Sequence, residues 1–384
     1  MKILSVVGAR PNFMKIAPFI RAVKEYNSLN PSQIEHLLIH TGQHYSVNMS
    51  DAFFTELGLP APDLNLEIGS GSHAEQVGRT MIEFEKVLIT ENPDWVVVVG
   101  DVNATLAASV TAKKLGIKVC HIEAGLRSGD MSMPEEINRL VTDRLSDLFL
   151  TPDRLSGENL VKEGIPREKI KFVGNIMIDT LEANREKASR LDVNEIIRHN
   201  IIDRESVDQN PVKNSFAIMT LHRPSNVDKP EVMEPLIEFL IGDIVREDFP
   251  FIWPIHPRTA KQLEIFNLTD RIKKAGNLLL IHPIGYLEML RLNMDAKIML
   301  TDSGGLQEEC TILGTPCLTL RWNTERPVTL KENGGASVLV GNNIERIRKE
   351  YNEARMLKRN PVRPELWDGK TAPRCLQEIL NYHD

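Results

Sequence analysis

Acidic and basic side chains suited to acid–base chemistry gather in the stretch 93–139. Asp101 follows the apolar run 95–99, and Glu123 follows a second apolar run, 117–122. A helix-like segment separates the two runs, so the pattern predicts a βαβ unit with parallel strands. Parallel strands bring Asp101 and Glu123 to the same carboxyl edge of one sheet, where open α/β sheets bind ligands.

A third acid, Glu135, opens the next predicted helix, and Arg127 and Arg139 lie close to it in the sequence. Alone, Glu135 could form a capping box with Ser132 or an i,i+4 ion pair with Arg139. Asp101 alone could cap the helix that follows it. The coincidence of three acids near one sheet edge instead favours a functional carboxylate cluster.

Two basic residues suggest an anion site near the start of the chain. A predicted strand, 2–7, runs through a tight loop into a helix that carries Arg10 and Lys15. Free N–H groups and the helix dipole favour negative charge at such a turn. The alternative is two solvated basic residues on a surface helix. The P-loop and GxGxxG patterns are absent, so a nucleoside triphosphate or a nicotinamide cofactor is not expected.

Polar residues also follow other predicted strands. Gln43 and His44 come after the second strand, either as ligands or as ordinary loop hydrogen-bonding groups. In the second half of the chain, His222 and Arg223 follow an apolar run. A histidine there can act as an acid, a base or an oxyanion partner near neutral pH, and a purely structural histidine is the alternative.

A glycine-containing turn in the second half suggests a nucleotide site. Ser303, Gly304 and Gly305 join a buried apolar run to a predicted helix. Small residues let a phosphate or ribose approach the backbone, although they could serve the turn alone. Glu308 and Glu309 are expected in the first turn of that helix, where they could accept hydrogen bonds from ribose hydroxyls.

The composition indicates a cytoplasmic protein of two domains. The chain has 384 residues, 42% of them hydrophobic, which is more than one core normally uses. A net charge of −7 with dispersed basic residues makes nucleic acid and anionic membranes unexpected partners. No apolar run reaches the roughly 18 residues that span a bilayer, and no signal peptide is expected. Four cysteines without a CxxC pair are expected to be reduced core residues: Cys120, Cys310, Cys317 and Cys375.

Alternating apolar runs and helix-like segments predict an α/β protein with two doubly wound lobes. A charged, Asn-rich segment, 183–214, is the expected linker between them. The predicted strands of the first lobe are 2–7, 35–40, 95–99, 117–122, 148–151 and 171–174. Those of the second lobe are 216–221, 251–255, 278–281, 297–300 and 316–320. A terminal helix is predicted over 371–383.

Taken together, these motifs resemble the non-hydrolysing UDP-N-acetylglucosamine 2-epimerases. The matching segments are GARPNFMKIAP, TGQH at 41–44, GDVNATLA at 100–107, HIEAGLR at 121–127, MPEEINR at 133–139, GN at 174–175, LHRP at 221–224, TDSGGLQEE at 301–309 and TERP at 324–327. They cover nearly the whole chain in the order that the family has.

The resemblance implies a GT-B-like architecture with two Rossmann-like domains and an active site in the cleft between them. The implied domains are an N-terminal one, 1–180, joined by the C-terminal helix 370–384, and a nucleotide-binding one, 181–369. It also implies a UDP-sugar substrate, a homodimer, a role in polysaccharide biosynthesis, and no cofactor or metal.

The family's site residues can be transferred by motif position. The implied catalytic residues are Asp101, Glu123, Glu135 and His222. The implied substrate-binding residues are Arg10, Lys15, Gln43, His44, Arg139, Arg223, Ser303, Gly304, Gly305, Glu309 and Arg321. Some bacterial members bind a regulatory UDP-sugar near the QH element. Tyr45 and Ser46 depart from the family pattern there, so such regulation is left open, and the loop after Arg223 leaves the sugar substituents open.

The implied reaction interconverts UDP-GlcNAc and UDP-ManNAc by eliminating UDP and adding it back to a 2-acetamidoglucal. Which acid serves which face of the sugar is not assigned. The alternatives are a hydrolysing epimerase, an epimerase of UDP-2,3-diacetamido-glucuronate, a GT-B glycosyltransferase and a non-catalytic sensor of sugar nucleotides.

Overall fold

The computed structural model describes residues 1–42, 58–202, 215–244, 249–275 and 278–383. These residues form two compact units, one of residues 1–183 with 365–384 and the other of residues 184–364. Each unit is built on a parallel β-sheet flanked by helices. The predicted fold class, α/β with two doubly wound sheets, is therefore confirmed.

The first unit contains a seven-stranded parallel sheet in the order β3-β2-β1-β4-β5-β6-β7. Its strands are β1 (Lys2–Val7), β2 (Glu35–His40), β3 (Leu64–Asn65), β4 (Trp95–Val99), β5 (Lys118–Ile122), β6 (Leu148–Thr151) and β7 (Ile170–Phe172). The helices between them are α1 (Arg10–Leu29), α2 (His73–Glu91), α3 (Asn103–Lys114), α4 (Pro134–Leu145) and α5 (Arg154–Lys162). Helix α6 (Ile176–Ser189) contains the boundary between the units.

The second unit contains a six-stranded parallel sheet in the order β10-β9-β8-β11-β12-β13. Its strands are β8 (Ala217–Thr220), β9 (Phe251–Pro254), β10 (Leu278–Ile281), β11 (Ile298–Thr301), β12 (Cys317–Thr319) and β13 (Ser337–Leu339). Its helices are α7 (Val193–Asn200), α8 (Pro224–Val227), α9 (Pro230–Phe239), α10 (Pro257–Ile265), α11 (Thr269–Ala275), α12 (Tyr286–Asp295), α13 (Gly304–Leu313) and α14 (Ile344–Ala354). The last helix, α15 (Thr371–Leu380), packs against α1 in the first unit.

The sheet cores explain why the apolar runs form strands. All five residues of β4 are buried, as expected for a central strand covered by helices on both faces. Strands β4 and β5 pair in parallel with Val99 opposite Ile122, so the residues that follow them share one edge. All four cysteines are free and buried, as predicted. Within the described residues, no helix has the length and hydrophobicity required to cross a membrane.

The sequence predicted eleven of the strands at nearly their observed positions, and it missed β3 and β13. These two strands have two and three residues, which is too short for a periodic pattern to stand out. The segment expected to be a linker contains the end of α6 and all of α7. Residues 203–214 of that segment lie outside the described part of the chain.

Candidate active site

The carboxylate of Asp101 lies at the carboxyl edge of the first sheet, where Arg139 on α4 binds it. Arg139 Nη1 donates to Asp101 Oδ2 over 2.5 Å, and the arginine is 2% exposed while the aspartate is 23% exposed. Asn138 Nδ2 donates to the Asp101 carbonyl over 2.9 Å. The alternative in which Asp101 caps the next helix is wrong, because Val102 occupies the cap position without a side-chain hydrogen bond.

Glu123 lies beside Asp101 at the same edge, in an unusual backbone conformation. Its φ is +74°, a left-handed value that costs a residue with a side chain about 1–3 kcal/mol. Its carboxylate forms a buried ion pair with Lys15 on α1. A Cβ atom at Gly100 would lie 3.1 Å from Lys15 Nζ, so a glycine between strand and aspartate leaves room for the lysine. The predicted gathering of Asp101 and Glu123 at one edge is confirmed.

On α4, the acid that pairs with Arg139 is Glu136, for which the sequence predicted no role, and not Glu135. The buried acid is Glu136, which accepts hydrogen bonds from Gly129 N–H (2.8 Å) and from Arg139 Nη2 (2.7 Å). These contacts hold the pKa of Glu136 below its ordinary value, although burial acts in the opposite direction. Both structural alternatives for Glu135 were wrong, because α4 is capped by Met133 without a capping box and Arg139 pairs with Glu136.

The half-buried Glu135 therefore stands at the start of α4 without an ion pair or hydrogen bond to any described residue. It lies one turn before Arg139 on the same helix. Its predicted catalytic role stays a prediction. Arg127, the other nearby arginine, binds Asp143 at 2.7 Å and Glu163 at 2.7 Å, so its charge is used within the unit.

The remaining predicted residues of the first unit are described only in part. Arg10 is the first residue of α1, and its side chain lies outside the described atoms. Gln43 and His44 also lie outside the described residues. The loop before α1 is ordered by Asn12, whose Oδ1 accepts from the N–H groups of Gly8 (3.2 Å) and Ala9 (3.1 Å).

In the second unit, His222 follows β8 and is oriented by the buried Asp302, which follows β11. His222 Nδ1 lies 2.9 Å from Asp302 Oδ1, and the histidine side chain is 41% exposed. Asp302 also accepts from Asn226 Nδ2 at 3.1 Å and from Arg223 N–H at 2.9 Å. Burial alone would raise the pKa of Asp302, but the hydrogen bond and charge of His222 lower it. Asp302 is therefore a carboxylate that holds Nδ1–H and leaves His222 Nε2 for proton transfer.

Two neighbours complete this edge. Arg223 Nε donates to the Asp302 carbonyl at 2.9 Å, so part of its guanidinium is fixed by the loop. The His256 ring, after β9, lies 5.7 Å from the His222 ring between centroids. Burial and the charge of His222 lower the pKa of His256. The neutral state of His256 is therefore favoured beside His222.

Ser303 and the two glycines after it begin α13, as the sequence predicts. Ser303 occupies the cap position without a side-chain hydrogen bond, so the first turn offers backbone N–H groups to an anion. The expectation that Glu308 and Glu309 lie in the first turn was wrong, because the helix starts at Gly304 and its first turn holds no acid. Burial, helped by the charge of Glu308, raises the pKa of Glu309 to about 7, although its side-chain contact with Tyr286 acts in the opposite direction.

A buried cluster of four charged residues supports the start of α13. Arg321 Nη2 donates to Glu325 at 2.6 Å, and Arg326 donates to Glu325 and, at 2.6 Å, to Glu308. A Cβ atom at Gly304 would lie 2.6 Å from Arg326 Nη1, so a larger residue there would have to displace the Arg326 guanidinium. Arg321 Nη1 is buried and has no hydrogen-bond partner among the described residues.

Sequence reasoning missed several residues that hold these sites together. Glu136 was passed over because its neighbour Glu135 satisfies the same spacing rules. Asp302 follows a buried strand, as Asp101 does, and that signal could have identified it. His121 on β5 contacts Asp143 on α4, with 2.6 Å between Nδ1 and Oδ1, and the sequence gives no sign of this contact.

A family model for UDP-N-acetylglucosamine 2-epimerase matches residues 27–380 of the chain. A UDP-N-acetylglucosamine 2-epimerase of Methanocaldococcus jannaschii is 44% identical over 382 residues, covering 100% of this chain and 99% of that protein. A UDP-2,3-diacetamido-2,3-dideoxy-D-glucuronate 2-epimerase of Pseudomonas aeruginosa is 40% identical over 345 residues, covering 89% of this chain and 88% of that protein.

The fold is also similar to solved structures. The crystal structure of the M. jannaschii UDP-GlcNAc 2-epimerase in complex with UDP-GlcNAc and UDP superimposes with a TM-score of 0.88. It is 43% identical in sequence, and the match covers 100% of both chains. The family model and the M. jannaschii protein both match almost the entire chain.

Proposed function

The chain belongs to the UDP-N-acetylglucosamine 2-epimerase family, and we propose that it interconverts UDP-GlcNAc and UDP-ManNAc. The observation that carries the proposal is the pairing of acids and cations at the edge of the first sheet. Asp101 is bound by Arg139, and Glu123 is bound by Lys15. The two acids follow neighbouring strands, so both can act on one sugar ring.

The chemistry explains why such residues are needed. The C2 proton of an N-acetylhexosamine has no adjacent carbonyl group, so direct removal of that proton is impractical. Breaking the bond between C1 and the UDP oxygen builds positive charge at C1 and acidifies the C2 proton. Loss of that proton gives a 2-acetamidoglucal and UDP, and protonation from the other face with return of UDP to C1 inverts C2.

Carboxylates suit the sugar ring in this scheme. They stabilise the developing cation and can transfer protons on both faces of the ring. We assign these duties to Asp101, Glu123 and Glu135 together. Glu135 suits a proton carrier because, among the described residues, no cation binds its carboxylate, whereas its neighbour Glu136 is committed to Arg139.

Cations and helix N–H groups suit the diphosphate, which leaves C1 and later returns to it. In the first unit, Lys15 and Arg10 are the proposed cations. In the second unit, the N–H groups at Gly304 and Gly305 suit phosphate oxygens. So does the N–H of Arg321 that has no hydrogen-bond partner among the described residues. His222 is proposed as a proton carrier through Nε2, since Asp302 holds Nδ1.

The test is incubation of the purified protein with UDP-GlcNAc, followed by ¹H NMR of the anomeric region. The proposal predicts an equilibrium mixture of UDP-GlcNAc and UDP-ManNAc without added cofactor. Free ManNAc and UDP would identify a hydrolysing enzyme. Unchanged UDP-GlcNAc in the presence of tight UDP binding would identify a sensor and contradict the proposal.

A second substrate is supported by the P. aeruginosa relative, which is 40% identical. UDP-2,3-diacetamido-glucuronate differs from UDP-GlcNAc at C3 and C6, while the chemistry at C1 and C2 is the same. The same NMR assay with both substrates distinguishes the two functions through the ratio of their kcat/KM values. We propose that kcat/KM is higher for UDP-GlcNAc than for the diacetamido-glucuronate, because the M. jannaschii UDP-N-acetylglucosamine 2-epimerase is 44% identical over 100% of the chain.

The domain assignments and assembly state are part of the proposal. We propose an N-terminal Rossmann-like domain, predicted as 1–180 with 370–384, and a nucleotide-binding domain, predicted as 181–369. The boundaries of the two compact units differ from these by three residues at 183/184 and by five at 364/365. We also propose a cytoplasmic homodimer, as the family resemblance implies. Light scattering of the purified protein tests the dimer through its mass.

A further inference from the structure

His121 is completely buried behind the edge that carries Asp101 and Glu123. It lies on β5, and 0% of its surface is exposed. Its Nε2 atom is 2.9 Å from the carbonyl oxygen of Gly100. Its Nδ1 atom is 2.6 Å from Oδ1 of Asp143 on α4. The ring therefore joins the end of β4 to α4 from inside the unit.

The two hydrogen-bond partners determine where the protons are. A carbonyl oxygen can only accept, so His121 Nε2 must carry a proton. Asp143 also binds the guanidinium of Arg127 at 2.7 Å, and this permanently charged partner favours the ionised form of the acid. Asp143 is then a carboxylate that accepts from Nδ1–H. Only the imidazolium form carries both protons.

The turn that His121 holds is the one that presents Asp101. His121 binds the Gly100 carbonyl, Asn138 binds the Asp101 carbonyl at 2.9 Å, and Arg139 binds the Asp101 carboxylate. The last two residues lie on α4, the helix that also carries Asp143. Contacts from one strand and one helix thus fix the Gly100–Asp101 turn in position.

The charges around the ring form a continuous chain to the surface. Asp143 Oδ2 accepts from Gly125 N–H at 3.1 Å and from Arg127 Nη1 at 2.7 Å. Arg127 in turn binds Glu163, whose side chain is 36% exposed. Arg127 is shared between two acids, Asp143 and Glu163. With a positive His121, the two cations and the two anions of this group have a net charge of zero.

We propose that His121 is a positioning residue, held as an imidazolium, that fixes the Gly100–Asp101 turn for proton transfer. The kinetic part of this inference rests on the proposed epimerase function, whereas the charge state of the ring does not. A neutral ring would leave either the Gly100 carbonyl or Asp143 without its donor. Asp101 would then lose part of the support that places its carboxylate beside the sugar.

The charge state is tested on the unmodified protein by NMR of histidine rings labelled with ¹⁵N. We expect the His121 ring to carry protons on both Nδ1 and Nε2, as its two acceptors require. His36 gives the contrast, because burial lowers its pKa to about 4 and its ring is neutral at about pH 7. A His121 ring that carries a single proton would overturn the proposal.

The positioning role is tested with His121→Asn and Asp143→Asn, each checked for folding by circular dichroism. We expect kcat to fall about 10- to 100-fold, with KM changed less than about 3-fold, because misplacing a catalytic group slows chemistry more than binding. The double variant should be no slower than the slower single variant. The control is His199→Asn on α7, an exposed residue.

Equal kcat in the variants and the wild type, or losses that multiply in the double variant, would contradict the positioning role. If the wild-type protein does not act on UDP-GlcNAc, the proposed function is wrong. The NMR measurement on His121 still decides the charge of the ring, because it does not depend on activity. If a variant does not fold, the NMR measurement on the wild-type protein decides the question of charge.

Discussion

Lys15 and Glu123 form an ion pair at the carboxyl edge of the first sheet, with side chains 7% and 4% exposed. The lysine comes from α1 and the glutamate from the end of β5, so the pair joins two elements of the edge. Removing one partner of a buried pair leaves an uncompensated charge, which is strongly destabilising. The pair therefore links the stability of the unit to its proposed chemistry.

Lys15→Met should lower the free energy of unfolding by about 3–5 kcal/mol, because Glu123 would be buried without its cation. It should also weaken UDP binding, since a proposed diphosphate cation is lost. Urea denaturation measures the first effect and calorimetric titration with UDP the second. The matched control is Lys24→Met, an exposed lysine on the same helix, which should change neither quantity. Unchanged stability of Lys15→Met would show that the pair is not formed in solution.

On α4, replacing Glu136 by glutamine should lower stability, whereas replacing Glu135 by glutamine should lower activity. Glu136→Gln should cost about 1.5–3 kcal/mol of stability, because charge-assisted hydrogen bonds to Gly129 N–H and Arg139 are weakened. Glu135→Gln should leave the free energy of unfolding within about 0.5 kcal/mol and lower kcat about 10²- to 10⁴-fold. Urea denaturation and the NMR assay measure both variants. Full activity of Glu135→Gln would remove it from the catalytic set.

The buried carboxyl of Glu309 makes stability depend on pH. Its pKa is raised from 4.5 to about 7 in the folded protein, so the folded state keeps its proton where the unfolded state has lost it. Stability contributed by this group is therefore complete below about pH 4.5 and is lost as pH rises to about 7. At about 1.4 kcal/mol for each pH unit, the loss is ~3 kcal/mol.

Glu309→Gln should abolish this loss. The variant should match the wild type near pH 4.5 and exceed its free energy of unfolding by up to ~3 kcal/mol above pH 7. Urea denaturation at several pH values measures the difference, with Glu332→Gln, an exposed glutamate, as the control. Parallel curves for the wild type and Glu309→Gln would contradict the raised pKa.

The sequence was sufficient for the fold and for the placement of Asp101 and Glu123, and the reason is physical. Long apolar runs such as β4 can only be buried strands, and the helix between β4 and β5 forces them to be parallel. The acid after each strand must then appear at the carboxyl edge. The same rule applied to β11 identifies Asp302, the partner of His222, although the sequence analysis did not use it there.

The hydrogen-bond and ion-pair partners of the side chains could not be predicted from the sequence by this rule. Glu135 and Glu136 both fit the spacing to Arg139, and only the direction of each side chain on α4 decides which one is buried. His121 looked like an ordinary strand residue, because its contact with Asp143 joins positions far apart in the chain. The start of α13 at Gly304 placed Glu309 in the second turn, where it faces the interior instead of the first-turn N–H groups.

Turnover of UDP-GlcNAc in D₂O tests the central claim most directly. Elimination and re-addition of UDP requires loss of the C2 proton and its replacement from solvent-exchangeable acids at the edge formed by Asp101 and Glu123. The account predicts deuterium at C2 of both UDP-GlcNAc and UDP-ManNAc recovered after equilibration, seen as loss of the H2 signal by NMR. Epimerised product that retains protium at C2 would contradict it.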